Sequence, residues 1–162
     1  MSEARAVART MIQRAAKQKL NITNLKLQKL LYFAHGLMLV RHDRPLIDEA
    51  FQAWKYGPVL EGLYHDLKVF GPSPISPADG FIPQWPDMPL EKKEELETID
   101  AVLAQLGPLS GGELINFSHD PNGPWNAVFQ SNEKSIAISD DKIKQYFATI
   151  VKQAPQPQPQ EV

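Results

Sequence analysis

From Asn24 to Arg41 the chain has little purely polar face. Leu25, Leu27, Leu30, Leu31, Tyr32, Phe33, Leu37, Met38 and Leu39 fall on nearly every side of a helical wheel. A helix that is apolar all round is stable only when other elements cover it. The segment therefore predicts a central helix with the fold wrapped around it and Leu30 and Leu31 in the core. It does not read as a membrane span. Its longest apolar run, Leu30 to Val40, is interrupted by His35 and flanked by Lys29 and Arg41, and a span needs about 18 uncharged apolar residues. Asn21 or Thr23 is placed to cap its start, because a short polar side chain accepts from free N–H groups. Arg41-His-Asp-Arg-Pro45 ends it, since Pro disfavours helix at the preceding residue.

The covering elements are legible in turn. Ala4, Val7, Ala8, Met11, Ile12 and Ala15 share one side of a helix over Ala4–Lys17, with Arg5, Arg9, Arg14 and Lys17 on the other. Phe51-Gln-Ala-Trp54 alternates as a short strand, and Tyr56-Gly-Pro58 reads as a turn. Leu60, Leu63, Tyr64 and Leu67 predict a helix from about Val59 to Val69, stopped by Gly71-Pro72. Leu90 to Leu106 is a charged amphipathic helix. Ser110-Gly-Gly-Glu113 has capping-box spacing and starts a helix through about Ser118. Asp120 to Pro124 is a turn, Ser135 to Ile138 a second strand able to pair with the one near Trp54, and Ser139 caps a last helix carrying Ile143, Tyr146, Phe147 and Ile150. The fold class is thus mainly α: a compact domain of six or seven helices with a two- or three-stranded β element. The domain is expected over residues 4–152, and residues 153–162, with alternating Pro and Gln, are expected to be a disordered tail.

Charge is uneven. Up to Arg44 nine Lys and Arg stand against Glu3 and Asp43, a net of +7, whereas the remainder carries eight Lys against seventeen Asp and Glu, a net of −9. The two parts can attract each other within the fold or offer patches of opposite sign to partners. The basic helix face invites a nucleic-acid reading. The sequence pI of about 6.1 lies far below the range of basic nucleic-acid binders and favours internal pairing. With no cysteine there is neither disulfide framework nor thiolate metal site, and Met1 to Arg14 has no apolar leader core, so a cytoplasmic protein is expected.

No catalytic constellation stands out. His35, His42, His65 and His119 lack the spacing that sets two imidazoles on one helix face. Neither a Walker loop, a GxGxxG fingerprint nor a GxSxG elbow is present. Gly111-Gly112 is explained by capping. No cofactor or metal is expected, and the chain does not read as an enzyme. Binding features are more distinctive. Trp54-Lys-Tyr-Gly-Pro58 sets two aromatics ahead of a rigid turn; Trp54 is assigned to the core, and Tyr56 either anchors the turn or contacts a partner. Pro72 to Pro89 holds six prolines with Phe81, Ile82 and Trp85 between them. Phe81 and Trp85 either pin this loop to the core or belong, with Tyr56 and Tyr64, to a partner-binding surface.

Three blocks together resemble the Panacea domain of SocA-like antitoxins: Ile22-Thr-Asn-Leu-Lys-Leu-Gln-Lys-Leu-Leu-Tyr-Phe-Ala34; Ala53-Trp-Lys-Tyr-Gly-Pro-Val59 followed by Leu63-Tyr64; and Leu114 to His119 with Pro124-Trp125. The middle block is the most specific, and the resemblance runs from about Ala4 to Ile150. It marks Leu30, Leu31, Trp54, Gly57, Pro58, His119 and Trp125 as structural motif residues. It implies a mainly helical fold and a bacterial or phage antitoxin that neutralises a protein toxin by direct binding, with some members acting as adaptors that hand the toxin to a protease. Many members carry an additional DNA-binding domain, for which this chain has no room. The family supplies no catalytic residues. The alternative reading is a nucleic-acid-binding regulator using the basic N-terminal helix.

Overall fold

The computed structural model describes residues 1–89, 91–129 and 136–153. Leu90, Ser135 and residues 154–162 of the expected tail lie outside the described residues; the helix expected from Leu90 begins only at Lys93, Glu91 and Lys92 being non-helical, and Gln153, expected in the tail, ends the last helix. Among the described residues there are seven helices, α1 (Ala4–Lys17), α2 (Asn24–His42), α3 (Glu61–Leu67), α4 (Lys93–Leu106), α5 (Gly111–Ser118), α6 (Pro124–Val128) and α7 (Asp140–Gln153), and three strands, β1 (Phe51–Trp54), β2 (Gly57–Val59) and β3 (Ile136–Ile138). The fold is mainly helical with a small antiparallel sheet, as the sequence predicts. No helix among the described residues is long and apolar enough to cross a membrane.

Helix α2 is the axis. Thr23 caps it, its side chain accepting from the Lys26 N–H, and Asp43 closes it in the left-handed region at φ 54°. It packs against α1, α3, α4, α5, α7 and β2. Leu27, Leu30, Leu31 and Met38 are fully buried. Around Tyr32 the rings of Phe33, Phe51 and Phe147 meet edge to face at 5.4–5.6 Å, the arrangement favoured by ring quadrupoles. Contact with α7 is closest at Gly36, where a Cβ would stand 2.4 Å from the Phe147 ring.

Four polar residues in the first half of α2 are buried too, and each holds a passing main chain. Gln28 Oε1 accepts from the Leu60 N–H at 2.9 Å, Lys29 Nζ donates to the Pro58 carbonyl at 2.9 Å, Asn24 Nδ2 donates to the Tyr64 carbonyl at 3.2 Å, and Lys26 Nζ donates to the Gly107 carbonyl. These bonds satisfy carbonyl and N–H groups that no sheet or helix reaches.

The sheet has the order β2-β1-β3. Ala53 pairs with Pro58 and Trp54 with Gly57, so Gly57 and Pro58 form a strand and the turn is Lys55-Tyr56. This corrects the expected turn at Tyr56-Gly-Pro58. Pro58 is tolerated because β2 is an edge strand, where a missing N–H disrupts no second ladder. β3 pairs with β1 through Phe51–Ile138 and Ala53–Ile136.

The charge asymmetry resolves within the fold. Arg5 pairs with Asp66 at 2.9 Å, Arg9 with Asp87 at 3.4 Å, and Arg14 with Asp100 at 2.6 Å. The basic face of α1 is thereby latched onto α3, the proline-rich segment and α4. That segment is itself fastened down. The Ile75 N–H donates to the Ile22 carbonyl at 2.7 Å, Arg9 donates to the Trp85 carbonyl, and Ile75, Ile82, Trp85 and Met88 are buried.

Candidate functional site

The three motif blocks, far apart in sequence, meet at the β1–β2 hairpin. The first supplies Lys29, the second Gly57 and Pro58, the third Ser118, His119 and Trp125. Gly57 sits at φ 106°, and a Cβ there would lie 2.5 Å from Ser118 Oγ and 2.8 Å from Lys29 Cε. Only glycine meets both the backbone geometry and the close approach. Trp125 Nε1 donates to the Trp54 carbonyl at 2.6 Å and locks α6 to the hairpin. The His119 ring lies flat on Trp125 at 3.7 Å, and Trp125 lies flat on Phe129 at 4.7 Å. The hairpin is thus clamped from beneath by a lysine and from one side by a stack of three rings.

Burial at this junction disfavours the charged forms of its two bases, Lys29 and His119. Burial pushes the Lys29 amine down to about 7. Burial and then the Lys29 charge lower His119. His119 Nε2 and the Tyr32 hydroxyl are buried without a hydrogen-bond partner among the described residues. Tyr32 is raised above its ordinary value by burial and then by Tyr146 and Asp120. The Tyr146 hydroxyl donates to Asp120, holding that carboxyl below its usual range. No group of three or more His, Asp or Glu among the described residues is arranged to hold a metal.

Two large rings stand exposed on elements of the clamp, one in the β1–β2 turn and one on α5. Tyr56, in the turn, is 54% exposed, with the Lys55 ammonium 5.4 Å from its ring centroid. Phe117, next to Ser118 on α5, is 55% exposed. Trp54 is half-buried, its ring against Tyr64 at 5.1 Å and His65 at 5.9 Å, and its N–H donates to Gln52. Its expected place in the core is corrected: β1 turns the indole to the outer face of the sheet, and Trp125 is the buried indole of this region.

The other expected surface residues are distributed differently. Trp85 is only 7% exposed, because the main chain of its loop is tied to α1 and to Ile22. Phe81 is half-buried between Phe70 at 5.7 Å and Trp85 at 5.4 Å. Neither is a protruding anchor. Together with Arg5, Asp66 and Gln84 they line a separate cavity of about 380 Å³. Tyr56 and Tyr64 do lie at the hairpin. Sequence reasoning missed Phe117, although Leu114 and Ser118 on the buried side of α5 leave position 117 facing outward. It also missed Lys29, which nothing local distinguishes from a solvated lysine.

Comparison with known proteins bears on what this junction is. The family described as "Antitoxin SocA-like, Panacea domain" matches residues 27–126, a span that contains Lys29, the hairpin, His119 and Trp125. The chain is 37% identical over 158 residues to "Antitoxin SocA" of Caulobacter vibrioides (strain NA1000 / CB15N), covering 90% of this chain and 82% of that protein. No solved structure matches it. The chain belongs to the SocA-like antitoxin family and carries its Panacea domain.

Proposed function

We propose that this chain is the antitoxin of a bacterial or phage toxin–antitoxin pair and that it neutralises its toxin by direct protein–protein contact, through the aromatic surface around the β1–β2 turn. The observation that carries this reading is the exposure of Tyr56 and Phe117 over a clamp built from all three family blocks. Large rings exposed on a rigid, internally braced hairpin lose little entropy when covered, and such residues dominate binding energy. The family supports an antitoxin role and a non-catalytic one. The pairing of Arg5, Arg9 and Arg14 with acidic side chains of the same chain favours protein binding over the nucleic-acid alternative, because paired guanidinium groups have less charge to give to phosphates.

Co-expression tests this. The chain, produced together with the toxic protein encoded beside it, is expected to restore growth, and Tyr56→Ala with Phe117→Ala to abolish rescue while leaving the fold intact. Rescue that depends on a host protease, with the toxin disappearing from immunoblots, would assign the adaptor route. Persistence of inactive toxin assigns direct inhibition. No rescue with the cognate toxin refutes the reading.

A further inference from the structure

The cavity lined by Arg5, Asp66, Phe81, Gln84 and Trp85 has a composition that the internal packing does not explain. At about 380 Å³ it lies at the small end of ligand pockets, about 300–1,000 Å³. Two aromatic rings, 5.4 Å apart and tilted by 42°, form part of its wall. Asp66 brings a carboxylate whose Oδ2 pairs with Arg5 at 2.9 Å, while Oδ1 makes no hydrogen bond among the described residues. Gln84 adds an exposed carboxamide. We infer that this cavity receives an arginine side chain of the partner protein, its guanidinium between Asp66 and the Phe81–Trp85 rings. The inference rests on the protein-binding reading above.

The charge around the cavity selects a cation. Glu49 is held above its usual range by burial and then by the charges of Asp48, Glu3 and Asp66, with Arg5 as the opposing cation. Asp48, Glu3 and Asp66 thus surround Glu49 with like charge, and the second guanidinium nearby, Arg9 on the Trp85 carbonyl, is already paired with Asp87, so carboxylates outnumber cations at this corner of the fold. An incoming carboxylate would meet Arg5, but also this surplus of negative charge. Arginine fits better than lysine. Its planar group can stack on an aromatic wall and still donate to both a carboxylate oxygen and a carboxamide oxygen, whereas an ammonium is a strongly hydrated point charge. Helix α3 links the two regions: Tyr64 and His65 contact Trp54, and the next residue, Asp66, lines the cavity.

The test is a titration of the ¹⁵N-labelled full chain with N-acetyl-argininamide, which needs no toxin. Saturable shifts of the Trp85 indole and Gln84 carboxamide signals are expected, absent with the uncharged N-acetyl-citrullinamide and with N-acetyl-glutamic acid amide. Asp66→Asn should weaken binding about fivefold, and Gln84→Glu, which adds a carboxylate at an exposed rim position, should tighten it by a similar factor. If Asp66→Asn fails to fold, Gln84→Glu carries the test alone. Absence of saturable shifts, equal binding of the citrulline compound, preference for the glutamate compound, or a tighter-binding Asp66→Asn would each overturn the inference. The titration decides the cavity and the growth rescue decides the antitoxin role, so the two can fail separately.

Discussion

Lys29→Met is expected to raise stability at neutral pH and to lose that advantage in alkali. The Lys29 side chain is fully buried, and its amine is lowered from 10.5 to about 7. In the unfolded chain it titrates near 10.5, so between pH 7 and pH 10.5 the unfolded state binds the extra proton. Stability therefore rises with pH across this window, by at most about 1.4 kcal/mol per unit for one proton. Keeping the lysine costs roughly 4 kcal/mol at pH 7 and less than about 1 kcal/mol at pH 10 on that linkage. Methionine removes this cost but leaves the buried Pro58 carbonyl without its donor at 2.9 Å, a loss of about 1–3 kcal/mol. The variant should be more stable than the parent by about 1–3 kcal/mol at pH 7 and level or less stable at pH 10. Urea unfolding at half-unit steps from pH 6.5 to 10 measures both curves. Above pH 10 both should fall together, because Tyr32 and Tyr146 have folded pKa values raised above their unfolded ones and lose stability as pH rises. Parallel curves for parent and variant from pH 7 to 10 would refute the reasoning.

Three further substitutions probe the frame, each read by chemical denaturation. Gly57→Ala combines a φ of 106° with a Cβ 2.5 Å from Ser118 Oγ and should cost upwards of about 2 kcal/mol; a loss below 1 would mean that the hairpin is not clamped. Gly36→Ala drives a methyl to within 2.4 Å of the Phe147 ring and should cost about 1–3 kcal/mol by overpacking α2 against α7. Leu31→Ala empties a fully buried site and should cost about 2–5 kcal/mol, near-neutral behaviour contradicting the central placement of α2.

The legible parts of the fold were those set by neighbours in sequence. The bounds of α1, the Thr23 cap of α2 and the reciprocal Ser110–Glu113 capping box follow from periodicity and short-range hydrogen bonding. The Gly57-Pro58 strand did not follow, because both residues signal turns locally and only edge pairing with β1 makes a strand of them. Lys29 was hidden for the same reason. Its burial is decided by a carbonyl 29 residues away, whereas sequence pattern treats lysine as a surface residue. Which tryptophan is core is also a tertiary matter. Trp54 and Trp125 are equally apolar, but Trp54 falls on the less buried side of β1 whereas Trp125 is buried on α6. For the proline-rich segment the sequence left two readings open, pinning to the core or a partner surface, and the burial of Ile75, Ile82, Trp85 and Met88 agrees with pinning.

The central claim is that exposed rings at the clamped hairpin hold the toxin, and calorimetric titration of purified toxin into this protein tests it most directly. Tyr56 and Phe117 are both more than half exposed, so Tyr56→Ala and Phe117→Ala should each leave stability within about 0.5 kcal/mol of the parent. At the centre of an interface each should cost about 2 kcal/mol of binding, or roughly 30-fold in affinity. A stoichiometric complex with the parent and 30-fold weaker binding by each folded variant is the predicted result. Unchanged affinity in both folded variants would contradict the account and move the toxin-binding surface elsewhere on the domain.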